Sequence, residues 1–222
     1  MRFGRKSAST SSTPDLGNGG DGGDGDVADG VTAAGVPVGP FDESEVDLEE
    51  FAGVDLGSLL IAPVAATEMQ LQVDEDSGQV MAAVLVGENG ALELRAFAAS
   101  RGGGAWDELR PRIAAEMARQ GGTCDERQGS FGTELLCLVP VRTPAGEPAT
   151  QASRIIGYEG PTWLLRATLM GPPAQDDELA APWEETIRRV VVRRGSSAMP
   201  PGAPLPLTLP AEARRVEPPS QV

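Results

Sequence analysis

The stretch TEMQLQVDEDSGQVMAAVLVGENGALELRAFAA, residues 67–99, decides the fold class of this 222-residue chain. Apolar and polar residues alternate in 69–73, and DEDSG (74–78) supplies turn residues before the apolar run of 80–86. A second turn at ENG (88–90) leads into another alternating segment. These patterns predict three antiparallel strands in a meander.

A helix is predicted directly after this meander. RGGG (101–104) breaks the strand, and apolar residues then recur at helical spacing from Trp106 to Met117. Gly121 is placed to end the helix. Pro111 lacks a backbone donor, so we expect the regular helix to run only from about this residue onward, with a looser turn before it.

Four more strands and a second helix are predicted beyond the first helix. The strands fall at 123–129, 132–141, 149–160 and 161–171, and a turn at 130–132 joins the first two. Asp176 and Asp177 can cap the second helix, with Pro182 expected in its first turn. Its buried face is expected to contain Trp183, Ile187, Val190 and Val191.

The order β-β-β-α-β-β-β-β-α predicts an α+β fold, with a single antiparallel sheet of about six to seven strands and two helices. This order roughly fits the α/β/α sandwich called Mog1/PsbP-like, which occurs in binding and assembly proteins. The likeness is one of topology alone, and a fold does not determine a function.

Composition divides the chain into five segments. Residues 1–38 are rich in Gly, Ser and Asp and are expected to be disordered, because they cannot bury enough apolar surface to offset the ordering entropy. The other predicted segments are an acidic strap at 39–54, the α+β domain at 55–197, a Pro-rich extended segment at 198–210 that packs on the domain, and a disordered tail at 211–222. We expect Leu205, Leu207 and Leu209 to carry the packing of the Pro-rich segment.

Composition also excludes several classes of function. The formal net charge of −15 argues against direct DNA binding, which needs a basic face. Histidine is absent, which removes Ser-His-Asp and Cys-His catalysis and His-containing zinc sites. No apolar run reaches the ~18–20 residues that span a bilayer. We therefore expect a cytoplasmic protein that is not a membrane protein.

The two cysteines, Cys124 and Cys137, do not have the C-x-x-C spacing of redox and zinc motifs. In the cytoplasm they are expected to be reduced thiols. A disulfide across a hairpin is the alternative.

The acidic stretch GPFDESEVDLEE (39–50) is a candidate partner-docking segment, because apolar residues are spaced among acids. Its candidate docking residues are Phe41, Asp42, Glu43, Glu45, Val46 and Leu48. A sharper hypothesis is that Phe41 and Leu48 pack on the domain. An acidic solubilising linker is the alternative.

A candidate basic surface near the end of the second helix could receive either an acidic partner or the protein's own strap. It consists of Arg188, Arg189, Arg193 and Arg194. A solvated helix end is the alternative, because basic residues suit the negative end of the helix dipole.

The Gly-rich loop before the first helix is a candidate anion-binding loop. It comprises Arg101, Gly102, Gly103 and Gly104, and it precedes a helix N-terminus. It lacks the G-x-x-x-x-G-K-[ST] pattern, so a flexible connection is the alternative. Paired acids at 107–108, at 184–185 and in the 74–78 turn fit helix starts and turn chemistry. We therefore predict no catalytic residues, no metal site and no cofactor.

Several segments together resemble a known family. They are GPFDESEVDLEE (39–50), WDELRPRIAAEMARQGG (106–122), FGTELLCLVPVRTP (131–144), IIGYEGPTWLLRATLMG (155–171) and MPPGAPLPLTLP (199–210). They are similar to an uncharacterised domain-of-unknown-function family of actinobacteria over roughly residues 39–210. The resemblance implies a genomic neighbourhood that often contains dUTPase, and it transfers no activity or site residue.

The sequence therefore predicts a non-enzymatic interaction or assembly domain whose partner is another protein. The alternative is a module that binds a small anionic ligand or nucleotide through the 101–106 loop. A carboxylate- and Mg²⁺-dependent enzyme is the remote alternative.

Overall fold

The computed structural model describes residues 39–62, 64–74, 76–143 and 145–210. The two predicted disordered segments, 1–38 and 211–222, lie outside these residues. The elements in chain order are β1 Phe41–Asp42, β2 Val54–Asp55, β3 Leu59–Ile61, β4 Glu68–Val73, β5 Val80–Gly87, β6 Gly90–Ala98, α1 Ala105–Arg119, β7 Thr123–Gly129, β8 Gly132–Arg142, β9 Pro148–Glu159, β10 Trp163–Met170, α2 Asp177–Arg188 and β11 Val191–Val192. Short 3₁₀ turns occupy Glu43–Glu45 and Pro172–Ala174.

The main sheet has seven strands in the order β4-β5-β6-β10-β9-β8-β7, and all neighbours are antiparallel. The meander predicted for 67–99 is confirmed as β4, β5 and β6. A second meander, β7 to β10, joins it through the pairing of β10 with β6. The α+β class is confirmed.

A second, smaller sheet was not predicted. It has the order β1-β11-β3-β2, and β1 runs parallel to β11. The prediction of a single sheet is therefore incomplete. Strands of two or three residues are too short to show a periodic pattern. The partners of β11, which are β1 and β3, also lie more than a hundred residues away from it in the chain.

Helix α1 begins at Ala105 and contains Pro111, so the expectation that regular helix starts near Pro111 is wrong. Proline removes the hydrogen bond to the carbonyl four residues earlier, which is that of Asp107. Both residues are exposed, so water can hydrate this carbonyl. The predicted end is confirmed: Gly121 has a φ of 79° and its N–H donates to the Ala118 carbonyl at 3.0 Å.

Helix α2 is capped by Asp176, whose carboxylate accepts from the N–H groups of Glu178 at 2.9 Å and Leu179 at 3.2 Å. Pro182 is the sixth residue of the helix and not in its first turn as expected. Val190 and Val191 are buried as predicted, but they follow the helix, and Val191 belongs to β11.

Two hydrophobic cores lie on opposite faces of the main sheet. The larger core joins the sheet to α2 and the small sheet, with residues such as Leu94, Leu165 and Ile187. The smaller core lies under α1 and contains Trp106 and Ile113. Alternate residues of one strand point to opposite faces, so β9 and β10 supply both cores.

The Pro-rich segment is part of the sheet structure rather than a surface attachment. Backbone hydrogen bonds join Ala98 N to Ala203 O at 2.8 Å, Leu205 N to Ala96 O at 2.9 Å and Thr208 N to Leu56 O at 2.9 Å. The predicted packing is confirmed for Leu205 and Leu207, which are 3% and 8% exposed. It is wrong for Leu209, which is 54% exposed.

The structure joins Cys124 and Cys137 in a disulfide, which corrects the expectation of reduced thiols. The two residues are directly opposite in the β7–β8 pairing. Their pairing follows from the hairpin, because the tight turn between Gly129 and Gly132 sets the register.

A groove between the first helix and the sheet

Helix α1 covers only one half of its side of the main sheet. It contacts β7, β8 and β9, and Trp106 packs where a Cβ on Gly157 would clash with its ring. On the same face, β6 places Glu93 and Arg95 outside the area that the helix covers. The border between the covered and uncovered halves forms a groove.

This groove is a cavity of about 240 Å³ between α1, the 100–104 loop, the ends of β6 and β10, and the 201–202 segment. Its apolar lining comes mainly from Phe97, Leu109 and Leu164. Its charged lining consists of Glu108, Arg112 and Arg166. A small cavity with an apolar lining and a few charged groups has the general make-up of a ligand site.

One stripe of α1 forms the wall of the groove. Ala105, Glu108, Leu109 and Arg112 follow the i, i+3, i+4, i+7 spacing that places residues on one helical face. Arg112 is exposed and makes no ion pair with any residue that the structure describes.

Arg166 approaches the groove from β10. Its guanidinium lies 5.5 Å from the centre of the Phe97 ring and pairs with Glu93 at 3.3 Å. Its Nε is buried without a hydrogen-bond partner among the described residues. Burial lowers the pKa of Arg166, with Arg95 nearby acting in the same direction and Glu93 opposing. An arginine remains charged at neutral pH nonetheless.

The predicted anion loop contributes only part of this site. Gly102, Gly103 and Gly104 all have positive φ, between 76° and 109°, which glycine alone adopts readily. Gly103 lines the groove, whereas Arg101 is exposed and lies outside the lining.

An internal carboxylate already occupies the N-terminus of α1. Glu159 Oε1 accepts a hydrogen bond from Trp106 N at 2.6 Å. This contact fills the position that a phosphate takes at helix N-termini. Arg112 and Arg166 could not be predicted from the sequence to line one groove, because they are 54 residues apart and on different elements.

The acidic strap is anchored to the domain. Phe41 and Asp42 pair with β11, and the Asp42 carboxylate accepts from Trp163 Nε1 at 2.7 Å. Glu45 and Asp42 also form a capping box, in which the Glu45 carboxylate accepts from Asp42 N at 2.6 Å. Three of the predicted docking residues, Phe41, Asp42 and Glu45, thus serve the fold directly, and Val46 and Leu48 are half-buried.

The candidate basic surface does not form one patch with free charges. Arg193 pairs with Glu43 of the strap at 3.4 Å and with Asp55 at 3.0 Å. Arg188 pairs with Glu184 at 3.3 Å, and Arg194 donates to the Ser197 carbonyl at 3.1 Å. Arg189 is exposed. Of these four arginines, Arg193 alone forms an ion pair with a described residue of the strap, and the pairing of β1 with β11 supplies the backbone contact.

A cluster of buried charges joins α2 to the sheet. Arg154 is 1% exposed; its Nε donates to Glu134 at 2.6 Å and its guanidinium also binds Glu184 and Asp177. Burial raises the pKa of Glu134, although Arg154 opposes this shift. Because the buried charges are mutually paired, we interpret the cluster as structural.

The expectation that Glu184 lies at the start of the second helix is wrong. Glu184 is the eighth residue of α2 and points to the sheet. A charged residue at the buried position 154 of an apolar strand was the signal that could have revealed the cluster.

Within the described ranges, no group of three or more Cys, Asp and Glu residues is arranged to hold a metal ion. The same part of the chain contains no helix with the length and apolar character needed to cross a membrane.

Comparisons with known proteins place the chain in a family. No curated protein and no solved structure matches it. One family profile, described as a protein of unknown function (DUF3710), matches residues 39–216, which include the strap, both sheets, both helices and the Pro-rich segment. Since this match covers most of the sequence, the chain belongs to the DUF3710 family.

Proposed function

We propose that the domain is a non-enzymatic binding module that holds a small organic anion in the groove beside α1. One observation carries this proposal: Arg112 and Arg166 line the same small cavity, next to an apolar surface formed by Phe97 and Leu164. Guanidinium groups are well suited to carboxylate and phosphate oxygens.

The size and lining of the groove indicate the ligand class. A cavity of about 240 Å³ is smaller than the ~300–1,000 Å³ typical of drug-sized ligands. The two arginines favour one carboxylate or phosphate group, and Phe97 with Leu164 favours an aromatic or apolar body. Glu108 can accept a hydrogen bond from an amine or hydroxyl. Aromatic carboxylates and mononucleotides have this combination of groups.

An interaction or assembly domain is the second candidate, and its partner would be another protein. The uncovered half of the main sheet, with Glu93 and Arg95 on its surface, supports it. The strap supports it less, because Phe41 and Asp42 are engaged in the fold.

A carboxylate-dependent enzyme has less support than either candidate. Among the groove-lining residues that the structure describes, Glu108 is the single acid, and Asp107 pairs with Arg110 at 2.8 Å. General acid–base catalysis by a carboxylate pair requires two such groups at one substrate.

A cytoplasmic location stays a prediction. The Cys124–Cys137 disulfide weighs against it, because disulfides persist mainly in oxidising compartments. Thiol alkylation in intact cells, read by mass spectrometry, measures the redox state of this pair directly.

The ligand proposal is tested by thermal shift and calorimetry on the full chain, with benzoate, phenyl phosphate, AMP and inorganic phosphate as probes. We expect saturable binding of at least one aromatic anion, and affinity at least tenfold weaker in Arg112→Ala. Arg119→Ala is the matched control, because Arg119 is an exposed arginine of the same helix outside the groove. Absence of binding by every probe, or equal affinity in Arg112→Ala, contradicts the proposal.

A further inference from the structure

The two edge strands of the main sheet are protected to different degrees. Edge strands expose unpaired backbone groups, and natural proteins guard them with charged residues, proline or bulges. Strand β7 contains three consecutive charged residues, at 125–127. Strand β4 has the sequence EMQLQV, with one charge at its first residue and neither proline nor glycine. The register of its pairing with β5 shifts between Gln72 and Val73, where Met81 of β5 is the extra residue, so 68–72 of β4 remain regular.

The outer side of β4 has no strand beside it in the described part of the chain. Met69 and Leu71 pack against the larger core, while Gln70 and Gln72 are exposed on the opposite face. Val73, at the end of the strand, is 40% exposed, an unusual exposure for a large apolar side chain in this domain. The edge is thus regular, nearly uncharged and partly apolar.

We propose that β4 pairs antiparallel with β4 of a second copy of this chain, about a twofold axis at Gln70. Directly opposite residues in an antiparallel pair point to the same face of the sheet, so a symmetric pairing must be centred on a residue. Centring on Gln70 sets Met69 opposite Leu71 of the second copy on the core face. On the other face it sets Gln70 opposite Gln70 and Glu68 opposite Gln72.

Charge complementarity favours this register. Arg95 donates to the Gln72 side chain at 3.1 Å, so the guanidinium lies close to the place that Glu68 of the second copy would reach. Centring the axis one pair further on, at Leu71, would instead set Glu68 opposite Asp74. Like charges directly opposite each other destabilise a strand pair. The twofold at Gln70 avoids this repulsion.

The register makes a charge-swap test possible. Gln70→Lys and Gln70→Glu each place like charges opposite each other at the axis, whereas an equal mixture places Lys opposite Glu. We expect the full chain to be a dimer by light scattering coupled to size exclusion at micromolar concentration. Each variant is expected to be monomeric at that concentration, and the mixture to form dimers again.

Gln128→Lys is the matched control, because Gln128 is an exposed glutamine on the opposite edge strand. It should remain dimeric, and circular dichroism should show all three variants folded. A monomeric wild type, or Gln70 variants that dimerise like the wild type, overturns the interface. Monomeric variants whose mixture also stays monomeric overturn the placement of the axis at Gln70. The groove experiment is independent of these outcomes, since Arg112 and Arg166 are not on β4.

Discussion

At the scale of single residues, Asp42 connects parts of the domain that are far apart in sequence. Its carboxylate accepts from Trp163 Nε1 at 2.7 Å and from the Ser44 hydroxyl at 2.7 Å. Burial by itself would raise the pKa of Asp42, but the hydrogen bonds from Ser44 and Trp163 outweigh it and lower the pKa. The ionised form is therefore favoured in the folded protein.

We predict that Asp42→Ala lowers the free energy of unfolding by about 1–2 kcal/mol, through loss of the cap and of the Trp163 hydrogen bond. A lowered folded-state pKa contributes stability above the unfolded pKa of about 3.9, and this contribution is lost as the pH falls through the folded value. The loss of stability in Asp42→Ala should therefore be largest at neutral pH and become smaller in acid. Urea denaturation across this pH range measures it, with the exposed Glu50→Ala as control. An equal loss in Glu50→Ala would contradict the assignment.

Arg154 offers a second residue-scale prediction. Arg154→Met leaves Glu134 and Glu184 buried without their main partner, so we expect a loss of about 3–5 kcal/mol at neutral pH. The pKa of Glu134 is already raised by burial. A raised folded-state pKa gives stability that is present below the unfolded value, about 4.3, and is lost as the pH rises through the folded value. The variant should therefore recover part of its stability as the pH is lowered.

Denaturation of Arg154→Met at pH 7.5 and pH 5 tests this expectation. Arg127→Met is the control, because Arg127 is more exposed and its pairs with Glu134 and Asp177 should contribute less than about 1 kcal/mol. A deficit in Arg154→Met that does not change with pH would show that lost packing, and not unpaired charge, is responsible.

At the scale of elements, the alternation of apolar and polar residues was enough to predict the seven long strands. It could not predict β1, β2 or β11, because two residues show no period. The apolar run at 55–64, which contains β3, does favour a short strand or an extended segment. The same patterns could not predict long-range contacts between a helix and the sheet. The groove is lined by both Arg112 and Arg166, and only the tertiary structure brings these two residues together.

The pairing of Cys124 with Cys137 could be predicted from the sequence. Once the 130–132 turn was predicted, counting outward along the two strands sets Cys124 opposite Cys137. The general expectation of reduced thiols in the cytoplasm points the other way, but the local geometry of the hairpin decides the pairing.

The Pro-rich segment provides an element-scale prediction with an internal control. Leu205→Ala should cost about 2–5 kcal/mol, since its side chain is buried in the larger core. Leu209→Ala should change stability by less than about 0.5 kcal/mol, because Leu209 is exposed. Urea denaturation of both variants compares them directly. Similar costs would mean that the segment does not pack as described.

The hairpin disulfide provides a further prediction about stability. The bridge joins residues 13 apart, and a closed loop of this size contributes about 3 kcal/mol in the chain-entropy description. Replacing both cysteines by serine should lower stability by this amount, and reductant should lower the wild type by a similar amount. Reductant should have no effect on the double-serine variant. If reductant does not lower the stability of the wild type, the predicted contribution of the disulfide to stability is contradicted.

At the scale of the whole molecule, the two cores share their strands. Ile155 belongs to the smaller core and Ile156 to the larger one, although they are neighbours on β9. Loss of one core therefore disturbs the other, and we predict a single unfolding transition.

Tryptophan fluorescence can test this cooperativity. Trp106 lies in the smaller core, while Trp163 and Trp183 lie in the larger one. In Trp106→Phe, fluorescence reports the larger core alone and circular dichroism reports the whole domain. The two urea midpoints should coincide. Separate midpoints would show that the cores unfold independently.

The insertion of residues 203–208 beside β6 and Leu56 has a consequence for biosynthesis. The sheet margin next to Ala96 and Ala98 stays open on the nascent chain until these residues have left the ribosome. Strand β1 must also wait for its partner, because it pairs with β11, about 150 residues later. Since non-local pairings of this kind slow folding, all of residues 39–208 must be translated before the domain can close.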